Sequence, residues 1–153
     1  MVIQRWQSVF LLIAVILTGI FSVCSLGQIH GATIDVDVTA MGLYELGEGG
    51  KLLHGTIYVA IVAWLTALLA LIAIFLYKNT RLQKKVCWLS IVLLLAACGS
   101  EWLAAGSLEV AGAAGISWGA VVFAPFVALI CLLMAVRCIK SDEKKLSSYD
   151  RLR

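Results

Sequence analysis

Glu101 is the residue whose type and place most invite chemistry. It is the one charged side chain inside an otherwise apolar run from Val86 to Ala104. An ionisable group in such a run is costly in lipid, and at mid-membrane depth it marks an ion or proton pathway. Counted from Val86, however, Glu101 lies about 22 Å along a helix at 1.5 Å per residue. With Trp102 beside it, it is expected near an interface, where a carboxylate reaches water or a neighbour cheaply. An interfacial structural acid is therefore the first reading of Glu101, and a relay the second.

The five cysteines carry no redox motif. No Cys-x-x-Cys occurs, and the loop from Gly27 to Lys51 contains no cysteine. A thiol–quinone oxidoreductase needs an exposed reactive pair, so that chemistry is disfavoured. A Cys24–Cys98 disulfide is geometrically conceivable in an oxidising compartment, but both are expected in lipid or packed helix, where a free cysteine behaves as a small hydrophobe. His30 and His54 bracket the same loop, with Asp35 and Asp37 between them. A metal site needs ligands that converge, and nothing in the spacing imposes convergence. No cofactor, metal site or catalytic residue is expected, and the chain is read as a non-enzyme. Arg151 and Arg153 join Glu101 as candidates, because Lys144, Lys145, Arg151 and Arg153 offer a basic end to anionic lipid.

The elements that must position these residues are membrane spans. Hydrophobic residues make up 62% of the 153, and charged residues only 14%. Soluble domains carry about 45–50% and about 25%, so a soluble globular domain and a disordered chain are both excluded. Four apolar runs cover residues 8–26, 56–77, 86–104 and 116–138, each about long enough for a 30 Å hydrocarbon core. Lipid offers no partner to an open backbone, so each run is expected to be a helix. The first run resembles a secretory signal, but it is longer than a signal core and is expected to stay uncleaved. Pro125 falls inside the fourth run and is expected to kink it. Gly115 and Gly119 form a small-xxx-small pair at its start.

Basic residues give the direction. Arg5, Lys78, Arg81, Lys84, Lys85, Arg137 at the end of the fourth run and the five basic residues after it fall on one side of a four-span chain, and Lys51 alone falls on the other. That asymmetry places both termini in the cytoplasm. The outer loop, 27–55, contains Thr33-Ile34-Asp35-Val36-Asp37-Val38-Thr39, the alternation of a half-buried strand. Gly42–Leu46 is a second short strand. A two-stranded ribbon is marginal alone, so it should rest on the helix ends. The second outer link, Ala105 to Ser117, is rich in Gly and Ala and reads as a connection. In the tail, 139–153, Ser141-Asp142-Glu143 has the form of a helix start. The expected fold is an all-α membrane protein, a four-helix bundle with a short β-ribbon in the first outer loop.

Longer stretches carry a resemblance. Val2-Ile3-Gln4-Arg5-Trp6-Gln7-Ser8-Val9, Leu43-Tyr44 after Thr39-Ala40-Met41-Gly42, the link Phe75-Leu76-Tyr77-Lys78-Asn79-Thr80-Arg81-Leu82-Gln83, and the tail from Arg137 to Lys144 with Asp150-Arg151-Leu152-Arg153 resemble the domain-of-unknown-function 4293 family. The resemblance implies a small four-span inner-membrane protein of Bacteroidetes with a cytoplasmic carboxyl end. It implies no activity, cofactor or catalytic residue. Function is therefore expected to be structural or partner-binding, with the bilayer, a second copy or another membrane protein as partner. A small oligomeric transporter or channel subunit is the alternative. A reporter fused after Arg153 is expected to be active only if it is a reporter that works in the cytoplasm. Activity of an exported reporter there would reverse the orientation.

Overall fold

The computed structural model describes residues 2–31, 35–47, 51–109 and 113–150. Helix α1 spans Val2–Val23, α2 Ile57–Phe75, α3 Thr80–Glu109 and α4 Ala124–Asp150. All four are long and apolar enough to cross a membrane. They close a ring in which α1 packs on α2 and α4, and α3 packs on the same two.

The ring is lined with small side chains. Helix α2 buries Ala60, Ala63, Ala67, Ala70 and Ala73 along one stripe, which lets neighbouring backbones approach closely. Around the tail-side half of the ring, Leu11, Leu94, Leu132 and Ile139 fill the core. Many other large apolar residues of the same helices face outward, among them Ile16, Ile61, Trp64, Leu68, Leu95 and Ile130. A water-soluble bundle has the opposite arrangement, because water drives large apolar groups inward; lipid exerts no such force. Buried hydroxyls need no partner on another helix. Thr18 donates to Ala14 O, Thr66 to Val62 O and Ser90 to Val86 O, each one turn back on its own helix.

The expectation of an all-α bundle with a small ribbon is wrong. The chain also forms an antiparallel sheet of five strands among the described residues: β1 Ser25–Gly31, β2 Asp35–Thr39, β3 Gly42–Glu45, β4 Leu52–His54 and β5 Ala113–Trp118, in the order β4-β3-β2-β1-β5. The alternation expected in β2 holds, with Val36 and Val38 buried and Asp35 exposed; Thr33 and Ile34 lie outside the described residues. The strand expected over Gly42–Leu46 is β3. Three strands escaped the sequence reading. Helix α1 ends at Val23, so residues 25–26, assigned to the first span, belong to β1. Three-residue β4 lies within the stretch taken as loop.

Strand β5 lies where a Gly- and Ala-rich link was expected, and it includes the first residues assigned to the fourth span. It forms because β1 offers an open edge: Ile29 pairs with Ile116 and Gln28 with Ser117. That ladder is made by backbone groups, and the opening Ala113-Ala114-Gly115 carries little strand signal. Gly27 permits it, since a Cβ there would lie 2.6 Å from Ser117 O. Gly115 and Gly119 are therefore not a helix-packing pair; Gly115 is in β5, and Gly119 donates its N–H to Leu26 O at 2.8 Å. Helix α4 starts at Ala124, so Pro125 stands in its first turn, where its missing N–H leaves no bond unmade. It kinks nothing.

The inner face of the sheet rests on the helix ends. Ile29, Val36, Val38 and Leu43 join Phe21, Val59, Ala60, Ala63 and Ala97 in one core. Fully buried Thr56 ties the two layers, its hydroxyl lying 3.4 Å from the carbonyls of both Thr39 and Ala40. At the far end, α4 continues through Ser141-Asp142-Glu143 without a new start. Lys84 Nζ meets Glu143 at 2.7 Å and Gln7 Nε2 donates to Asp142 at 2.9 Å, joining α3 and α1 to α4. Replacing fully buried Ala63 by Leu is expected to destabilise the folded protein by about 1–3 kcal/mol through overpacking. Exposed Leu68→Ala should change stability by much less. Thermal unfolding in mild detergent measures both, and equal effects would contradict the small-residue seam.

Candidate functional site

Glu101 sits in the last third of α3, at the sheet side of the ring. The apolar stretch of that helix runs over Thr80–Ala104, so the carboxylate lies near its end and not midway. The end is not an open interface, however. Helix α3 continues to Glu109, and the sheet and the start of α4 close over the position. Glu101 is only 5% exposed. Neither Oε1 nor Oε2 has a hydrogen-bond partner. The expected interfacial acid, reaching water or a neighbour, is thus a buried and unpaired one.

Around it is a cavity of about 80 Å³ between the helices and the sheet. Its lining comes from every layer: Phe21 at the end of α1, Leu26 in β1, Cys98 and Trp102 in α3, Trp118 in β5, and Val122 with Pro125 and Phe126 where the chain enters α4. Apart from Glu101, these side chains are apolar or aromatic. The Trp102 and Trp118 rings stack with centroids 5.7 Å apart and planes 6° from parallel. That contact is worth about 0.5–1.5 kcal/mol beyond area burial, and it pins β5 to α3 at the pocket's edge. Trp102 is 68% exposed and Phe126 57%. The rim is therefore an aromatic surface on the outside of the ring, on the same side as the outward-facing apolar residues of α3 and α4.

The fold places Glu101 here for local reasons. Trp118 faces Trp102 because the β1–β5 register pairs Gly27 with Trp118, and glycine leaves room for that close approach. Pro125 in the first turn of α4 fixes the chain's entry. Ser100, one residue from Glu101, donates its hydroxyl to Ala97 O at 2.9 Å. It is committed to its own helix.

Other sequence candidates fall elsewhere. Arg151 and Arg153 lie outside the described residues. Cys24, Cys87, Cys98, Cys131 and Cys138 are free thiols. His54 is in β4, while His30 and Asp35 pair across β1 and β2. Among the described residues, no group of three or more His, Cys, Asp or Glu side chains converges as a metal site.

The outer sheet face does gather one polar row. Asp35 Oδ1 lies 3.1 Å from His30 Nδ1, and His30 Nε2 lies 3.3 Å from Ser117 Oγ. The order is that of a nucleophile relay. Ser117 Oγ also donates to Gln28 O at 3.1 Å, a bond that competes for its one proton. His30 and Asp35 are 54% and 51% exposed, so water competes for every link. This is the cross-strand polar pairing expected of a solvated sheet face.

The sequence singled out Glu101 and missed the residues that make it a site. Leu26, Trp118, Val122 and Phe126 fall within the apolar runs and carry no separate signal in the sequence. Their convergence depends on β5, which no local pattern announces. The adjacency of Glu101 and Trp102 was the available signal.

A family model described as Domain of unknown function (DUF4293) matches residues 3–152. No curated protein matches the chain. No solved structure matches it. The four apolar helices fit a multi-pass membrane protein. Glu101→Met removes an uncompensated buried carboxylate while keeping its volume, so it is expected to stabilise the protein by about 1–3 kcal/mol. A rise in the thermal midpoint in detergent is the expected readout, and a fall would mean that the carboxylate has a stabilising partner.

Proposed function

The chain belongs to the DUF4293 family, and we propose that it is a non-enzymatic component of the inner membrane that binds an apolar-bodied molecule in the pocket around Glu101. The sheet stands on the outer side and both termini in the cytoplasm, as the basic residues of the link 78–85 and of the tail favour. The pocket then lies at the level of the outer leaflet and is reached from the side, past Trp102 and Phe126.

One observation carries the reading: a carboxylate with both oxygens unpaired lines an otherwise apolar cavity. Leaving a buried polar group without a partner costs free energy, and a structural role would give it one. Binding sites for small molecules are largely apolar with a few polar groups that fix orientation, and this pocket has that composition. A transport pathway is less favoured, because the ionisable group stands at the sheet-side end of its span and transporters place theirs near the midplane.

Filling the pocket tests the proposal. Wild-type protein and the Val122→Phe variant, matched for thermal stability, would be incubated with a mixture of dodecylamine, dodecanol and dodecanoate and examined by native mass spectrometry. Wild type should retain at least one of these and the filled variant at least tenfold less. Equal retention would overturn the reading. Should Val122→Phe not fold, Cys98→Phe fills the cavity from α3 and serves in its place.

A further inference from the structure

We propose that the molecule held by this pocket carries an alkylammonium group, which pairs with Glu101 while its apolar body runs out past Phe126. The inference rests on the pocket being a binding site and concerns what enters it.

The lining selects among the groups that satisfy a carboxylate. Glu101 is acceptor-only when ionised, with two oxygens free to receive donors. Ca2+ and Mg2+ take about six or more oxygen ligands and Zn2+ about three or four from protein, whereas Glu101 is the one acidic side chain among the lining residues and no histidine stands with it. Phosphate, sulfate and carboxylate groups would bring like charge against it. A hydroxyl supplies one donor, which leaves one oxygen unmet. An ammonium supplies up to three donors and a full compensating charge.

The walls add a second attraction for a cation. Phe21, Trp102, Trp118 and Phe126 all line the cavity, and an ammonium near an aromatic face is attracted by the ring quadrupole, more strongly where water is excluded. Trp102 and Trp118 are stacked on one another, so their outer faces and edges are what they offer. A carboxylate and four aromatic rings around one small volume form a pairing suited to an alkylated ammonium.

Size and access fix the rest. A cavity of about 80 Å³ has room for several water molecules at about 10–15 Å³ each, enough for a small headgroup but not for a chain of a dozen carbons. The body must therefore leave the cavity. The exposed aromatic rim at Trp102 and Phe126 continues into Ile130 and Leu133 on α4, an apolar track along the outside of the helix. The ammonium could belong to a free amphiphilic amine or to the ethanolamine headgroup of a lipid; both offer the same chemistry to Glu101.

Detergent-solubilised protein would be titrated separately with dodecylamine, dodecanol and dodecanoate, with retention read by native mass spectrometry. Dodecylamine should bind at least tenfold more tightly than the other two, and Glu101→Gln should erase that preference while leaving dodecanol binding within about threefold. Competition by nanodiscs of phosphatidylethanolamine, but not of phosphatidylglycerol, identifies the lipid headgroup as the source. No competition by either identifies a free amine. Dodecanol or dodecanoate binding as tightly as the amine, or an amine preference that survives Glu101→Gln, overturns the ligand class and leaves the pocket standing. Binding of none of the three overturns the pocket itself.

Discussion

The constraint behind this structure is the closure of backbone hydrogen bonds where water is absent. A chain with so few charged residues has to cross lipid, and a backbone that crosses lipid has to meet its own donors and acceptors. Helices do so within one segment, which is why the four apolar stretches are helical whatever their side-chain pattern. The same rule reaches the side chains. Thr18, Thr66 and Ser90 each return a proton to a carbonyl on their own helix, so the ring holds polar groups in its interior without a network. Gln83 Oε1 is also buried without a partner, but its Nε2 donates to Ala73 O; neither side-chain oxygen of Glu101 has any hydrogen bond, and that carboxylate is what asks for a ligand.

At the sheet end the rule is met differently. There the chain leaves the helical regime and pairs across strands. Two links far apart in sequence contribute to one sheet, because β1 is followed by β2 on one edge and met by β5 on the other. The sheet's inner face packs on α1, α2 and α3 through Phe21, Val59, Ala63 and Ala97. That makes the sheet a cap on the ring. The pocket exists because the cap and the ring meet imperfectly beside Glu101, with Trp102 and Trp118 closing one side of the gap. A cavity between two layers held by different forces is a natural place for a third molecule.

The opposite end has the logic of charge. Lys84 and Glu143 close α3 on α4, and Gln7 with Asp142 closes α1 on α4. The acids that resembled a helix start serve as latches in the middle of a longer helix. Charge alone did not distinguish the two uses, since an acid near a helix N-terminus and an acid facing a neighbouring lysine look alike in one dimension.

What the residues determined by themselves was the spans, their approximate limits and the strands at Asp35–Thr39 and Gly42–Glu45. Length, hydropathy and a two-residue alternation are local quantities, and lipid and half-burial act on them locally. Glu101 was also legible, because a lone charge in an apolar run is visible without any fold. What only the tertiary structure decided was the sheet and the pocket. Strand β5 opens on Ala113-Ala114-Gly115, which have little strand preference, and its Ile116 and Trp118 read equally well as the start of an apolar span; it becomes a strand because β1 presents an open edge. The turn from α1 into β1 at Cys24 is equally silent, since Leu26 is as apolar as the residues of the span. The burial of Glu101 follows from both: without β5 there is no Trp118 against Trp102, and the carboxylate would stand at the open interface that its position along α3 predicted.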